Sequence, residues 1–325
     1  MPHLHKALTL VAIIFGYIKI IMKHILILTF ISVLFFGCGN SQSDKKVNQT
    51  DKNVKSVRIH IYPTVSYLEL KLDNGRLPSN PHILEFTNGK KKIVFCGTNH
   101  LSKSDVDNPM FTKIEDKFFS FRPTVCVNEG GDIYKKKYTS KKDALLKDGE
   151  IGLTKILADS LRISCVNGDM SEEYEFKELL KKYSTEEFIA YVVNERLMWE
   201  LKDRNLTKQE DVEKEYKKFI QGYIMKLGKV NLTETQQSFY FFKTSFEKIL
   251  GRPFDINGPE PTNPFEPKGK FQQIGRASKE IRDQNLMTTI DKLLDTNDKV
   301  FVVFGGWHLL TCKPGLEEII NRKRE

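Results

Sequence analysis

Two stretches of this chain share a form that narrows the folds open to it. Residues 90–95 end in Ile93-Val94-Phe95 and run through Cys96 into Gly97-Thr98-Asn99-His100, and the apolar residues 300–304 run into Gly305-Gly306-Trp307-His308. Short apolar runs closed by glycine read as buried strands, which occur where helices cover a sheet of parallel character. Glycine lets the chain leave the strand sharply, and a histidine three positions later is placed to point back over the strand tip. Two such units predict an internal pseudo-repeat in which each half delivers one imidazole.

The remaining segments extend the pattern. Residues 124–128 read as a short apolar strand ending at Glu129-Gly130-Gly131-Asp132, and residues 161–166 as another ending at Asn167-Gly168-Asp169. Helices are expected at 144–157 and 278–294 and after His308. Nearer the start, alternation predicts strands at 57–62 and 67–72, then a turn at Asp73-Asn74-Gly75. Residues 83–87 and 90–95 flank Asn88-Gly89, the pair that supplies the positive φ angles of a two-residue hairpin turn. Residues 171–251 change to charged helices, with capping-box signatures at Ser184…Glu187 and Thr207…Glu210 and with Gly228 and Gly251 where helices should stop. They carry no recognisable chemistry and read as a lid or packing layer. The fold expected is α/β: a central mixed, partly parallel sheet built from two related halves, flanked by helices, with a helical insertion at 171–251.

The N-terminus reads as an address. From Met22, a short basic region precedes an apolar block at 25–36, then Gly37-Cys38. This resembles a bacterial lipoprotein signal in which Cys38 becomes the lipidated first residue, with translation starting at Met22 and residues 1–37 serving as leader. Phe35 and Phe36 depart from the usual lipobox, whereas Leu34 and Gly37 fit it. The competing reading is an uncleaved anchor helix. Residues 38–55 are nearly free of apolar side chains and form a flexible tether, so one folded domain is expected over 56–325. The location implied is the bacterial cell envelope, with the membrane as partner through the lipid.

Composition excludes several alternatives. Of 325 residues, 40% are hydrophobic and 29% charged, which rules out wholesale disorder. The net charge of +9 arises from 51 Lys+Arg against 42 Asp+Glu. These charges are interspersed, as on a solvated surface, so no nucleic-acid partner is expected. Five cysteines without tight spacing exclude a small disulfide scaffold or zinc ribbon. A mean hydropathy of −0.39 excludes a polytopic membrane protein.

His100, Glu129, Asp169 and His308 all fall just past expected strand ends, where the crevices of α/β sheets bind ligands. Neutral imidazoles of His100 and His308 with the Glu129 carboxylate suit a divalent metal such as manganese, cobalt or zinc. Without metal the same trio suits general acid–base work. Asp169 orients a histidine, binds substrate or helps cap a helix. Trp307 walls a substrate site or, more in keeping with its size, packs in the core, and Glu150 reads as a turn residue. Cys96, Cys126 and Cys165 sit in or beside apolar strands and read as small buried hydrophobes. No G-x-S-x-G, P-loop, dinucleotide fingerprint or H-E-x-x-H is present.

The segments FCGTNH, VNEGG, EIRDQNLM and VFVVFGGWHL, taken in order, resemble the motif series of the TraB/GumN/TIKI-type family, whose wider superfamily includes erythromycin-esterase-like hydrolases and ChaN-like haem-binding lipoproteins. The likeness spans about residues 90–315 and leaves out the helical middle. It implies that His100, Glu129, Arg282 and His308 form the site. It also implies hydrolysis of a peptide or ester bond, metal-dependent in the TIKI-like branch and metal-free in the esterase branch. Glu129-Gly130-Gly131 departs from the pattern of many TraB-type members and leaves the branch open. Arg282 is a permanent cation suited to a substrate anion or oxyanion. The alternatives are a haem- or iron-binding lipoprotein and a peptide-sequestering one.

Overall fold

In a computed structural model, which describes residues 60–70, 77–100, 105–131 and 133–324, five strands form one mixed sheet. These are β1 (His82–Asn88), β2 (Lys91–Thr98), β3 (Val125–Asn128), β4 (Ser164–Asn167) and β5 (Lys299–Gly305), in the spatial order β1-β2-β5-β3-β4. β1 and β2 form the expected antiparallel hairpin around Asn88-Gly89, while β2, β5, β3 and β4 run parallel. Nine α-helices are described: α1 (Pro109–Phe121), α2 (Lys141–Leu161), α3 (Glu172–Leu180), α4 (Thr185–Val193), α5 (Trp199–Asp203), α6 (Gln209–Phe219), α7 (Phe239–Leu250), α8 (Lys270–Thr296) and α9 (Gly306–Asn321). The leader, Cys38, the tether, the Asp73-Asn74-Gly75 turn and Asp132 lie outside the described residues.

The central strands are apolar because both of their faces are covered. Alternate residues Ile93, Phe95, Val300, Val302 and Phe304 pack with Leu286, Met287 and Ile290 of α8 and Leu309, Cys312 and Leu316 of α9. The intervening Val94, Cys96, Phe301 and Val303 pack with Met110, Ile114 and Phe118 of α1 and Leu145, Leu153 and Leu157 of α2. Each such side chain contributes on the order of 1.5–3 kcal/mol relative to exposure. α1 was not foreseen, yet its signal is plain: Asn108 caps it, Pro109 opens it, and Met110, Ile114, Phe118 and Phe121 make its buried stripe.

The described parts of the expected strands at 57–62 and 67–72 are not strands. Residues 60–66 make no strand pairing, and residues 67–69 form a turn. The alternating large residues there are tyrosines that reach sideways: Tyr62 donates to Asp291 at 2.7 Å and Tyr67 to Asp283 at 3.2 Å. Hydroxyls needing buried partners on α8 thus override the period-two pattern. β4 is shorter than expected and only partly buried, because it is the sheet's edge strand.

Four strands precede the helical segment and only β5 follows it, inserting between β2 and β3. The likeness of the two G-x-x-H units ends at the strand tip. Beyond Thr98, Asn99 and His100 are loop; beyond Gly305, α9 begins at once. Gly97 is required where these tips meet, since a Cβ there would stand 2.8 Å from the Gly306 Cα.

Helices α3–α7 gather a core of their own around Phe176, Phe188, Tyr216, Phe242 and Phe246, which also takes in Phe271, Ile274 and Ala277 of α8. The capping box at Ser184 and Glu187 is present, but the N-cap of α6 is Lys208, one residue after the expected Thr207, and it makes no side-chain cap. At 27 residues, α8 is about 40 Å long and packs on the helical core with its first half and on the sheet with its second. Its polar middle, Lys279 to Asp283, lies at the carboxyl ends of the parallel strands. Ile59–Glu325 form one compact unit.

Candidate functional site

The carboxyl ends of β2, β5 and β3 open into a cavity of about 250 Å³ lined by Thr98, His100, Glu129, Lys279, Arg282, Trp307 and His308 among others. β2 and β5 pair in register, Thr98 opposite Gly305, so the two G-x-x-H units arrive side by side. Glu129 follows β3 and sits between them. His100 Nε2 stands 3.6 Å and His308 Nε2 4.0 Å from the Glu129 carboxylate.

Glu129 is held in place from two sides. Its Oε1 accepts from Arg282 Nη2 at 2.8 Å, and its Oε2 accepts from the Gly305 backbone N–H at 2.5 Å. Arg282 also makes a bidentate pair with Asp169, at 2.8 and 2.7 Å. Burial pushes the Glu129 carboxyl up, but His308, Arg282, His100 and the Gly305 N–H together hold it below the ordinary carboxylate range. Asp169 is likewise lowered: burial pushes it up, but the Arg282 bonds and charge, the Met170 N–H and His308 together outweigh it. Asp169 is not among the cavity-lining residues; it fixes the guanidinium, and Ser171, not Asp169, caps α3.

Each histidine carries a carboxylate on its other nitrogen. His308, buried in the first turn of α9, shares its Nδ1 with Asp283 at 2.5 Å. Asp283 is 1% exposed and accepts further bonds from Thr311 at 2.9 Å and Tyr67 at 3.2 Å. His100, whose side chain is 62% exposed, shares its Nδ1 with Glu150 at 2.6 Å. That bond raises the His100 pKa above the ordinary histidine value; burial opposes it, and the Glu129 and Glu150 charges add to it. Holding Nδ1 in this way leaves each Nε2 facing the cavity.

Glu150 corrects the expectation of a turn residue. The turn is there, but it lies inside a helix: Gly149 breaks α2 with φ 56° and ψ −137°, backbone open essentially only to glycine. The helix resumes at once, and Glu150, 7% exposed, is aimed at His100. Asp283, Tyr67 and Lys279 were also missed as site residues. Asp283 had a readable signal, an acid beside Arg282 on the same helix, whereas Tyr67 and Lys279 had none. Trp307 lines the cavity, with Phe265 against it edge-on at 4.5 Å. Cys96, Cys126 and Cys312 are buried free thiols, and burial pushes the half-buried Cys165 thiol up to about 12, so none is an activated nucleophile.

The three side chains of the expected metal shell, His100, Glu129 and His308, line one cavity. Both Glu129 oxygens already accept N–H bonds, and a divalent ion there would sit against the Arg282 guanidinium. Among the described residues no group of three or more His, Cys, Asp or Glu side chains is arranged to hold a metal ion. The arrangement suits proton transfer: two oriented imidazoles face one carboxylate, beside a fixed cation and the N-terminus of α9. No family model, curated protein or solved structure matches the chain.

Proposed function

We propose that the domain hydrolyses an ester or peptide bond, with His308 as general base and His100 as general acid, in an exported lipoprotein held in the bacterial envelope by lipid on Cys38. The observation that carries the reading is the pair of carboxylate–imidazole dyads whose Nε2 atoms face Glu129 in one cavity. The TraB/GumN/TIKI resemblance singles out four of the same residues.

Asp283 keeps the His308 proton on Nδ1, so the Nε2 lone pair takes a proton from water as the water oxygen bonds to the carbonyl carbon. The carbonyl π pair moves onto its oxygen. Arg282 and the N–H groups at the start of α9 offset that negative charge. The carbon–leaving-group bond then breaks, and the departing alkoxide or amine takes the proton of the His100 imidazolium, which Glu150 and Glu129 favour. Solvent returns the proton from His308 to His100. Glu129, held below the ordinary carboxylate range, positions Arg282 and both imidazoles while staying ionised.

The test is a panel of aryl esters and short peptides with the full chain, its His308→Gln and His100→Gln variants, and chelator. Turnover lost in both variants and untouched by chelator supports the reading. Undiminished turnover in folded variants contradicts it. Turnover that chelator abolishes and manganese, cobalt or zinc restores contradicts the metal-free chemistry. A haem complex, or a stoichiometric peptide complex without products, would put a binding protein in its place. Fatty-acid label lost in Cys38→Ala tests the anchor.

A further inference from the structure

Arg282 is held by Asp169 and Glu129 through Nε and Nη2, whereas Lys279 has no hydrogen-bonded partner among the described residues. It stands one turn earlier on α8, lines the same cavity and, among the described residues, makes no hydrogen bond or ion pair. Burial pushes its ammonium down; Glu195 and Glu129 pull the other way, and Arg282 and Arg196 add to the fall. A half-buried cation with no hydrogen-bonded counter-ion is costly, and a ligand anion would offset that cost. Two further donors belong to residues that line the same cavity. The Trp307 indole Nε1–H is buried with no acceptor, and α9 starts at Gly306 with no side-chain cap. Glu129, the cavity's carboxylate, is already bonded to Arg282 and the Gly305 N–H and makes no hydrogen bond to either donor.

We propose that the Lys279–Trp307 end of the cavity is a carboxylate-binding subsite, and therefore that the substrate carries a free carboxylate beside the bond that is cleaved. This deepens the hydrolase reading and rests on it for the word substrate. One ammonium without a hydrogen-bonded partner matches a monoanion; a phosphate dianion would leave a charge of its own unpaired. Lys279 supplies the ion pair and Trp307 a directional N–H donor. The helix terminus adds a favourable field. A carboxylate gripped at that end sets its neighbouring carbonyl over His308 and His100.

The experiment compares N-acetylglycine with its neutral amide, by calorimetric titration of the full chain and of Lys279→Met, Lys279→Arg and Trp307→Phe. The acid should bind the native chain about 10-fold or more tighter than the amide. Lys279→Met should abolish that preference, Lys279→Arg should keep part of it, and Trp307→Phe should weaken acid binding by a smaller factor. Equal binding of acid and amide by the native chain, or full preference in a folded Lys279→Met, overturns the subsite. His308→Gln separates the two proposals. If it loses turnover yet binds the acid as before, both stand. If the native chain cleaves nothing but Lys279→Met still loses acid binding, the hydrolase reading falls and the carboxylate site remains.

Discussion

The two histidine dyads start from one local sequence pattern and end in opposite surroundings. Asp283–His308 is built wholly from helices, α8 and the first turn of α9, and its members are 1% and 6% exposed. Glu150–His100 joins a loop after β2 to a kinked helix, and its imidazole faces solvent. A buried, multiply bonded aspartate fixes tautomer and orientation, which is what a base needs. An exposed imidazole held by carboxylates keeps its proton and can exchange it with water, which is what an acid needs. The difference shows that G-x-x-H fixes only where a histidine stands; the element that follows the strand decides what it does.

The comparison can be broken most severely at the buried dyad. His308→Gln should lower kcat by about 10²–10⁴-fold with little change in folding, measured by initial rates beside a thermal melt. Unfolding in urea tests the cation between the dyads. Arg282→Met leaves Glu129 and Asp169 facing each other unpaired and should cost about 3–5 kcal/mol. Because both carboxylates are held below their ordinary range, their stabilisation is full above the ordinary carboxylate pKa and is lost as pH falls through the lowered values. In Arg282→Met, where the cation that lowers both is gone, that acid-side loss should be smaller and should end at higher pH.

Weaker perturbations sharpen the contrast. Gly149→Ala strains the α2 kink by about 1–3 kcal/mol and should misaim Glu150, lowering activity while His308 is undisturbed. Ser184→Ala, in the helical segment, removes a capping box for about 1 kcal/mol and should leave kcat unchanged. A fall in kcat there would tie the helical segment into the chemistry.

Much of this was legible before any coordinates. Central strands covered on both faces betray themselves as apolar runs, so β2, β3 and β5 and the polar residues past their tips could be read directly. The N-terminal tyrosines could not, because alternation does not distinguish strand pairing from hydroxyls seeking partners on α8. α1 is readable from Asn108-Pro109 and its apolar stripe. The two carboxylates behind the imidazoles were hidden for different reasons. Asp283 looked like an ordinary neighbour of Arg282, and Glu150 depends on a helix that breaks at Gly149 and resumes, a tertiary outcome with the local signature of a turn.

The pH–rate profile of the full chain beside Glu150→Gln tests the division of labour between the dyads most directly. The Glu150 bond is the main cause of the raised His100 pKa, so His100 stays protonated to higher pH than an ordinary histidine. The alkaline limb of kcat/KM should therefore report loss of the His100 proton. Removing the carboxylate lowers that pKa, and the limb should move to lower pH while the acid limb stays where it is. An alkaline limb that does not move in a folded Glu150→Gln, or an acid limb that moves in its place, would contradict the assignment of His100 as acid and His308 as base.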